Sequence, residues 1–486
     1  MLSSTSAPPD PPAGSRSAPL VPAVPPAPPL FSLAWPLFVE LLLGIGIGVI
    51  GTALAARMSD DKGAAFAVAN YVSGSLFLLF RLIAVGVSVV ITQSLGGGRR
   101  DRADAVARAA LGASSWLGGF SAAVALLFAR PLLRLLNAPE DTVLPLAVPL
   151  LMCLAPALLM DAWNASMASV MRAHMRTRDT LVVMIVMQFI TLGLALPLMP
   201  VLGLPGFALA LFVSRATALG LHLLLWRTRL GLRPSRADWW RLPREPLAAI
   251  LHIGLPGAGE ILSFRLAFLA SVAAAGKLGG TALATQTYIV QATSGIVLFA
   301  LANGFAVEIM VGHMIGSGQL RAAHRLVRRA LAAGLAISFV VSISVTLSAR
   351  WILGFFTKDP QIIALGSHVM WLTVLHEAGR TFNVVVINGL RAAGDARFPM
   401  VAGAGSMLLV MAGGSWLLGV HLGLGLFGIW IAYASDEWLR GLIMWRRWRT
   451  LGWVPAARRT HRRVRPLGHA QPSSQVLTRK VTNEAA

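Results

Sequence analysis

The chain of 486 residues holds a single cysteine, Cys153, so it can form no intrachain disulfide and no cysteine-built metal site. Only 13% of its residues are charged, against about 25% in a soluble globular domain. Acidic residues are scarcer still, 20 against 42 basic ones, for a net charge of +22. The ten histidines are scattered, with no His-x-x-Glu-His grouping, which argues against a metal-dependent membrane enzyme such as an acyltransferase. No Gly-rich loop ends in Gly-Lys-Ser/Thr, which argues against an ATP-driven pump. The apolar runs lack the period-two alternation of barrel strands and are too long for them. The first 30 residues have no basic segment leading into an apolar core, as a signal peptide would. Pro8, Pro9, Pro11, Pro12, Pro25, Pro26, Pro28 and Pro29 instead predict a disordered, polyproline-biased tail over residues 1–30.

What the chain does have is apolar length. Hydrophobic residues make up 56% and the mean hydropathy is +0.69. A membrane-spanning helix needs about 20 mostly apolar residues. Twelve stretches qualify, at 31–56, 65–95, 108–130, 143–171, 180–200, 205–226, 248–275, 283–315, 328–350, 362–390, 398–420 and 424–448. The expected fold is therefore an all-α integral membrane protein of twelve helices, with the lipid bilayer as its solvent. Of the 42 basic residues, 30 fall before the first span or after an even-numbered one, 7 fall on the other side and 5 lie within spans. By the positive-inside rule this puts both termini in the cytoplasm, as for a multi-pass protein of a bacterial inner membrane. The positive charge is thus an orientation signal, and no nucleic-acid partner is needed to explain it. Residues 451–486 read as a basic cytoplasmic tail near anionic lipid. Cys153 reads as a buried small hydrophobe.

The sequence also repeats itself. At an offset of 220, Pro36 meets Pro256, Glu40 meets Glu260, Gly96 and Gly98 meet Gly316 and Gly318, Arg108 meets Arg328 and Arg130 meets Arg350. At 219, Asn164 meets Asn383, Arg172 meets Arg391 and Arg178 meets Arg397; at 222, Trp226-Arg227-Thr228 meets Trp448-Arg449-Thr450. The chain therefore divides into a first half over 31–226, a basic linker over 227–247 and a second half over 248–450. Six spans per half is an even number, so the halves are parallel repeats related by an axis along the membrane normal. A monomer suffices to hold both. Gly96-Gly97-Gly98 and Gly316-Ser317-Gly318 are expected to end their helices, glycine supplying a left-handed cap.

Five segments carry a family likeness. GVSVVITQSLGGGRRDRADAVARAAL follows the second span and FAVEIMVGHMIGSGQLRAAHRLVRRAL, its copy, the eighth; GLRAAGDARFP follows the tenth; Gly203-x-x-Gly206 and Gly425-x-x-Gly428 open the sixth and twelfth. In their order, spacing and duplication these resemble the MATE (multidrug and toxic compound extrusion) family over residues 31–450. The resemblance implies a secondary antiporter coupled to H+ or Na+, with no cofactor and no enzymatic activity, exporting small organic molecules such as organic cations or flavin-like compounds by alternating access. A lipid-linked oligosaccharide flippase of the same superfamily is the alternative, and would favour a strongly cationic cavity. The chain departs from the family at three positions where members carry an acid: Gly51, Phe264 and Arg380 stand there instead.

Charge within spans is costly and marks function. Seven acids (Glu40, Asp161, Glu260, Glu308, Glu377, Asp436 and Glu437) and five arginines (Arg81, Arg215, Arg265, Arg380 and Arg440) lie there. Glu377–Arg380 and Glu437–Arg440 are three residues apart on one helix face and read as structural charge pairs. Glu40 and Glu260, each four residues after a proline in the first helix of its half, read as substrate- or ion-binding groups, with Arg81 and Arg265 as their structural partners otherwise. Asp161 and Asn164, matched by Arg380 and Asn383, read as cavity lining.

Overall fold

The computed structural model describes residues 29–136 and 138–465. The tail expected to be disordered lies, but for its last two residues, outside them. The described residues contain helices and no strand. In chain order the first half is α1 (Leu30–Ala56), α2 (Asp60–Gly96), α3 (Arg100–Leu127), the short α4 (Ala129–Leu135), α5 (Leu144–Ala173), α6 (Thr177–Leu202) and α7 (Leu204–Leu225). The second half is α8 (Arg244–Lys277), α9 (Gly280–Gly316), α10 (Leu320–Leu347), the short α11 (Ala349–Phe356), α12 (Pro360–Ala392), α13 (Arg397–Ser406), which runs on in wide π-type turns to His421, and α14 (Gly425–Arg449). A last helix, α15, spans Val454–Val464.

Twelve of these are long, six per half. Ten are long and apolar enough to cross a membrane; the other two are α12 and α14, whose middles carry the charges described below. The duplication is visible in the helix ends themselves. Both ends of α2 and α9, and both ends of α3 and α10, differ by the same 220 residues, and α4 and α11 both begin there too. Gly98 and Gly318 adopt left-handed φ of 75° and 79°, as expected for caps that let the chain reverse.

Burial shows where the halves meet. Along its first twenty or so residues α2 buries one face only (Gly63, Phe66, Ala69, Val72), but from Gly86 to Ser94 every residue is buried. In α9 the same change occurs, with every residue from Ala306 to Gly312 buried. A helix buried all round has neighbours on every side. Each of these segments is packed by its own half and by the other half. The contacts are backbone-close: a Cβ on Gly86 would sit 2.2 Å from the Ile250 carbonyl oxygen, and one on Gly316 would sit 2.1 Å from that of Gln93. Leu33 and Leu37 of α1 add an apolar cluster with Ala302, Ala306, Ile309 and Met310 of α9. The halves are thus joined at the end of the bundle that holds Leu30 and Val464, here the terminal end. Towards the other end each half covers only its own face.

Two hydrogen bonds cross this seam as copies of each other. Gln93 donates through Nε2 to the Ala392 carbonyl at 2.8 Å, and His313 donates through Nε2 to the Ala173 carbonyl at 2.9 Å. α15 then lies over the seam. His461 Nδ1 donates to the Gly316 carbonyl at 2.8 Å, Arg102 donates to the Arg463 carbonyl at 2.9 Å, and Trp453 stacks on Trp448 with ring centroids 4.4 Å apart. Part of the segment read as a basic tail is therefore a docked helix. Cys153 corrects another expectation: its side chain is exposed on α5. A spanning helix is apolar on its outward faces as well, so an apolar neighbourhood in sequence does not imply protein contact.

Candidate functional site

Polar groups collect in three places. In the first half, Asp161 of α5 pairs with Arg215 of α7 at 3.1 Å. Asn164, one turn on, donates to the Arg215 carbonyl at 2.9 Å and accepts from His222 Nδ1 at 3.0 Å. Helical spacing puts Asp161 and Asn164 on one face, towards α7.

The second half holds a larger network between α12 and α14. Arg380 lies 3.2 Å from Glu377 and 3.4 Å from Glu437, and its Nη2 is 3.1 Å from His376 Nε2. Asn383 donates to Glu437 at 2.9 Å. Arg440 reaches Glu437 at 2.9 Å and Asp436 at 2.7 Å, and Ser406 donates to Asp436 at 2.6 Å. Three carboxylates thus share two guanidiniums and one imidazole. The sequence pairs Glu377–Arg380 and Glu437–Arg440 lie inside this network and are bridged to each other through Glu437.

The third place is the seam. Glu40 is bound by Arg172 Nη1 at 2.5 Å and by the Thr180 hydroxyl at 3.1 Å. Its copy Glu260 is bound by Arg391 Nη2, the copy of Arg172. The expected partners were Arg81 and Arg265. Arg172 and Arg391 sit in the last turns of α5 and α12, just past the span ends expected from sequence. Helical side chains lean towards the N-terminus, so an arginine in a last turn reaches back into the span. Arg265 is exposed on α8 and has no ion pair among the described residues. Arg81 lies over the Phe305 ring at 5.4 Å.

Between these copies sits Glu308 of α9, which sequence reasoning counted but gave no role. It is 3% exposed, faces Ser88 of α2, and its Oε2 has no hydrogen-bond partner. No arginine forms an ion pair with it among the described residues, yet Arg391, Arg81 and Arg172 are all within electrostatic reach. The offset of 220 places Glu308 on Ser88 and Arg81 on Leu301. The seam therefore holds two duplicated ion pairs and one unduplicated carboxylate and guanidinium. That asymmetry was the available sequence signal.

Of the three positions where the chain departs from the MATE pattern, Arg380 belongs to the α12–α14 network and the other two are filled by packing. A Cβ on Gly51 would lie 2.5 Å from the Phe66 ring and 2.8 Å from the Phe207 ring, which meet edge-to-face at 4.7 Å. No acid fits there. Phe264 stacks on Phe268. No group of three or more His, Cys, Asp or Glu side chains arranged to hold a metal occurs among the described residues.

Comparison with known proteins places this architecture. The MatE family model matches residues 36–200 and 256–416, one match in each half. An uncharacterised transporter of Bacillus subtilis, YisQ, is 33% identical over 87% of this chain and 94% of its own length. A probable multidrug resistance protein NorM of Caulobacter vibrioides is 26% identical over 90% of this chain and 94% of its own. Among solved structures, the Vibrio cholerae MATE transporter VcmN in its bent form aligns with a TM-score of 0.79 at 18% identity, over 89% of this chain and 97% of that one.

Proposed function

The chain belongs to the MatE family, whose members are transporters and not enzymes, and from that premise we propose that it is a cation-coupled antiporter exporting small organic molecules. Its two halves rock about the seam, opening first one end of the bundle and then the other. The basic residues collected at the terminal end support a cytoplasmic position for that end. The structure then corresponds to the state closed to the cytoplasm, with α15 across the closure.

One observation carries the coupling step: the buried Glu308 carboxylate at the seam, without an ion pair. A carboxylate on this line is enclosed while the halves are closed together and hydrated when they part. It therefore exchanges its proton or Na+ with the cytoplasm only when the halves part, which ties its occupancy to the conformation. Glu40–Arg172 and Glu260–Arg391 flank it as neutral pairs and form the ionic walls of the same site. The three guanidiniums of the seam face three carboxylates. This favours an exporter of organic solutes over a flippase for anionic lipid-linked sugars, which would use an unbalanced cationic surface.

The relatives named multidrug resistance proteins support an organic substrate. The test is substrate efflux from proteoliposomes under an imposed proton or sodium gradient, comparing wild type with Glu308→Gln. The variant is expected to lose at least tenfold in gradient-driven efflux while retaining gradient-free counterflow. Gradient-driven efflux at the wild-type rate would refute the assignment of Glu308.

A further inference from the structure

The linker between the halves forms a second feature at the terminal end, away from the seam. Past α7 the chain winds through one wide turn (Trp226–Leu230), reverses at Gly231 with φ of 70°, and forms a short 3-10 turn over Arg236–Trp239. Ser235 and Asp238 cap that turn reciprocally, Asp238 Oδ2 accepting from the Ser235 amide at 2.7 Å. The turn lies directly on α3. A Cβ on Gly112 would stand 2.1 Å from the Arg241 carbonyl oxygen, so the missing side chain is what admits the linker backbone. Its copy in the second half is Ala332, on a helix that receives no linker. Trp116 fastens the contact, donating through Nε1 to the Trp240 carbonyl at 3.0 Å, and Trp239 meets Trp163 edge-to-face at 5.0 Å.

Between α3, the linker and the start of α8 a groove of about 400 Å³ remains, lined among others by Arg108, Arg241, Asp238, Leu242 and Pro243. The Asp238 carboxylate is engaged by its cap. Arg108 and Arg241 have no ion pair among the described residues. In an adjoining depression the charges are matched instead: Arg99 holds Asp101 at 2.9 Å, keeping that carboxyl below its usual range, and Arg102 faces Glu245 at 3.8 Å. The groove thus holds two guanidiniums without ion pairs against one carboxylate, Asp238, a net positive charge. Beside it stand Trp116, Trp240 and Leu242, which are 59%, 63% and 41% exposed. Trp240, exposed on the linker just before α8, marks the depth of the lipid headgroups, and Trp116 stands about two turns further along α3 than Arg108, towards the acyl chains.

We propose that this groove binds the headgroup phosphate of an anionic phospholipid, held by Arg108 and Arg241, with the acyl chains running along Trp116, Trp240 and Leu242. A guanidinium presents a planar fork matched to phosphate oxygens, and two of them converge on one cavity. A soluble anion would explain the arginines but not the large apolar side chains exposed beside them. The bound lipid would tie the linker to α3 and so restrain the one covalent connection between the halves.

The test uses the full-length protein in neutral detergent. Its unfolding temperature is followed on adding phosphatidylglycerol, phosphatidylcholine or inorganic phosphate. Phosphatidylglycerol is expected to raise it by several degrees and the other two to have little effect. An equal rise with phosphatidylcholine, or a rise of the same size with inorganic phosphate alone, would overturn the lipid assignment. Two chemically unrelated variants, R108Q/R241Q and Ala105→Trp, should each weaken phosphatidylglycerol binding at least tenfold by native mass spectrometry. The first removes charge and the second fills the groove with both arginines in place. Undiminished binding in either folded variant would rule the site out.

Discussion

Arg215 and Glu437 stand at equivalent positions of the two halves and carry opposite charge. Each is bound to a residue that is itself duplicated with inverted sign: Arg215 to Asp161 at 3.1 Å, Glu437 to Arg380 at 3.4 Å. The ion pair between the fifth and seventh elements of a half has kept its place while its polarity has reversed. Around it the second half has added Glu377, Asp436, Arg440 and His376, so only the second-half version carries an excess of carboxylate.

The pair in the first half should therefore tolerate inversion as a unit. Asp161→Asn leaves a guanidinium without its partner in a buried setting, at a cost of about 3 kcal/mol or more. The double change Asp161→Arg with Arg215→Glu reproduces the second-half arrangement and should recover most of that loss. Thermal unfolding of the three proteins in detergent checks this. A double variant no more stable than the single would show that the surroundings fix the polarity.

The flanking pairs at the seam should behave differently from Glu308. Glu40→Gln and Glu260→Gln each strand an arginine, so both should lower the unfolding temperature and slow transport. Their residual transport should keep the wild-type dependence on pH. Glu308→Gln should flatten that dependence with little loss of stability, because no ion pair is broken. The pH profile of efflux in the three variants separates the roles.

Gln93 and His313 should govern how tightly the terminal end closes. Replacing either by alanine leaves a seam carbonyl without its donor, a penalty of roughly 1–3 kcal/mol on the closed state. The closed-to-open ratio should then fall by about fivefold to a hundredfold. Labelling of a cysteine at Met310 by a thiol reagent reports the opening. Cys153 is the only native cysteine, so Cys153→Ser gives the necessary background in one step.

Closing the same end permanently should stop the cycle. Leu37 and Met310 belong to one apolar cluster across the seam. With both replaced by cysteine in the Cys153→Ser background, oxidation should abolish transport and reduction should restore it. Full transport after complete cross-linking would mean that the terminal end need not open.

Much of this architecture was legible in the sequence, because its signals are long. A span of about 20 apolar residues or a repeat held over nearly a hundred positions survives local irregularity. Pairing partners are another matter. Arg172 and Arg391 sit at helix ends among other arginines, and only the lean of a helical side chain turns them inward to Glu40 and Glu260. α15 carries Arg458, Arg459, Arg462 and Arg463, which read as a solvated tail. Its docking rests on a few contacts at Trp453, Ala457 and Val464 that composition does not reveal. Glu308 was visible only as one acid among seven until the fold set it against Ser88.

Fusing two six-helix halves into one polypeptide has a consequence at Glu308 that two separate copies could not reach. In a symmetric pair of identical subunits every residue near the twofold axis meets its own image. A lone carboxylate there would face a second carboxylate. Here the image of Glu308 is Ser88 and the image of Arg81 is Leu301, so the axis carries one acid and one base instead of two of each. Gene duplication followed by divergence lets this protein place a single carboxylate on its line of symmetry, where a pair of identical subunits would hold two.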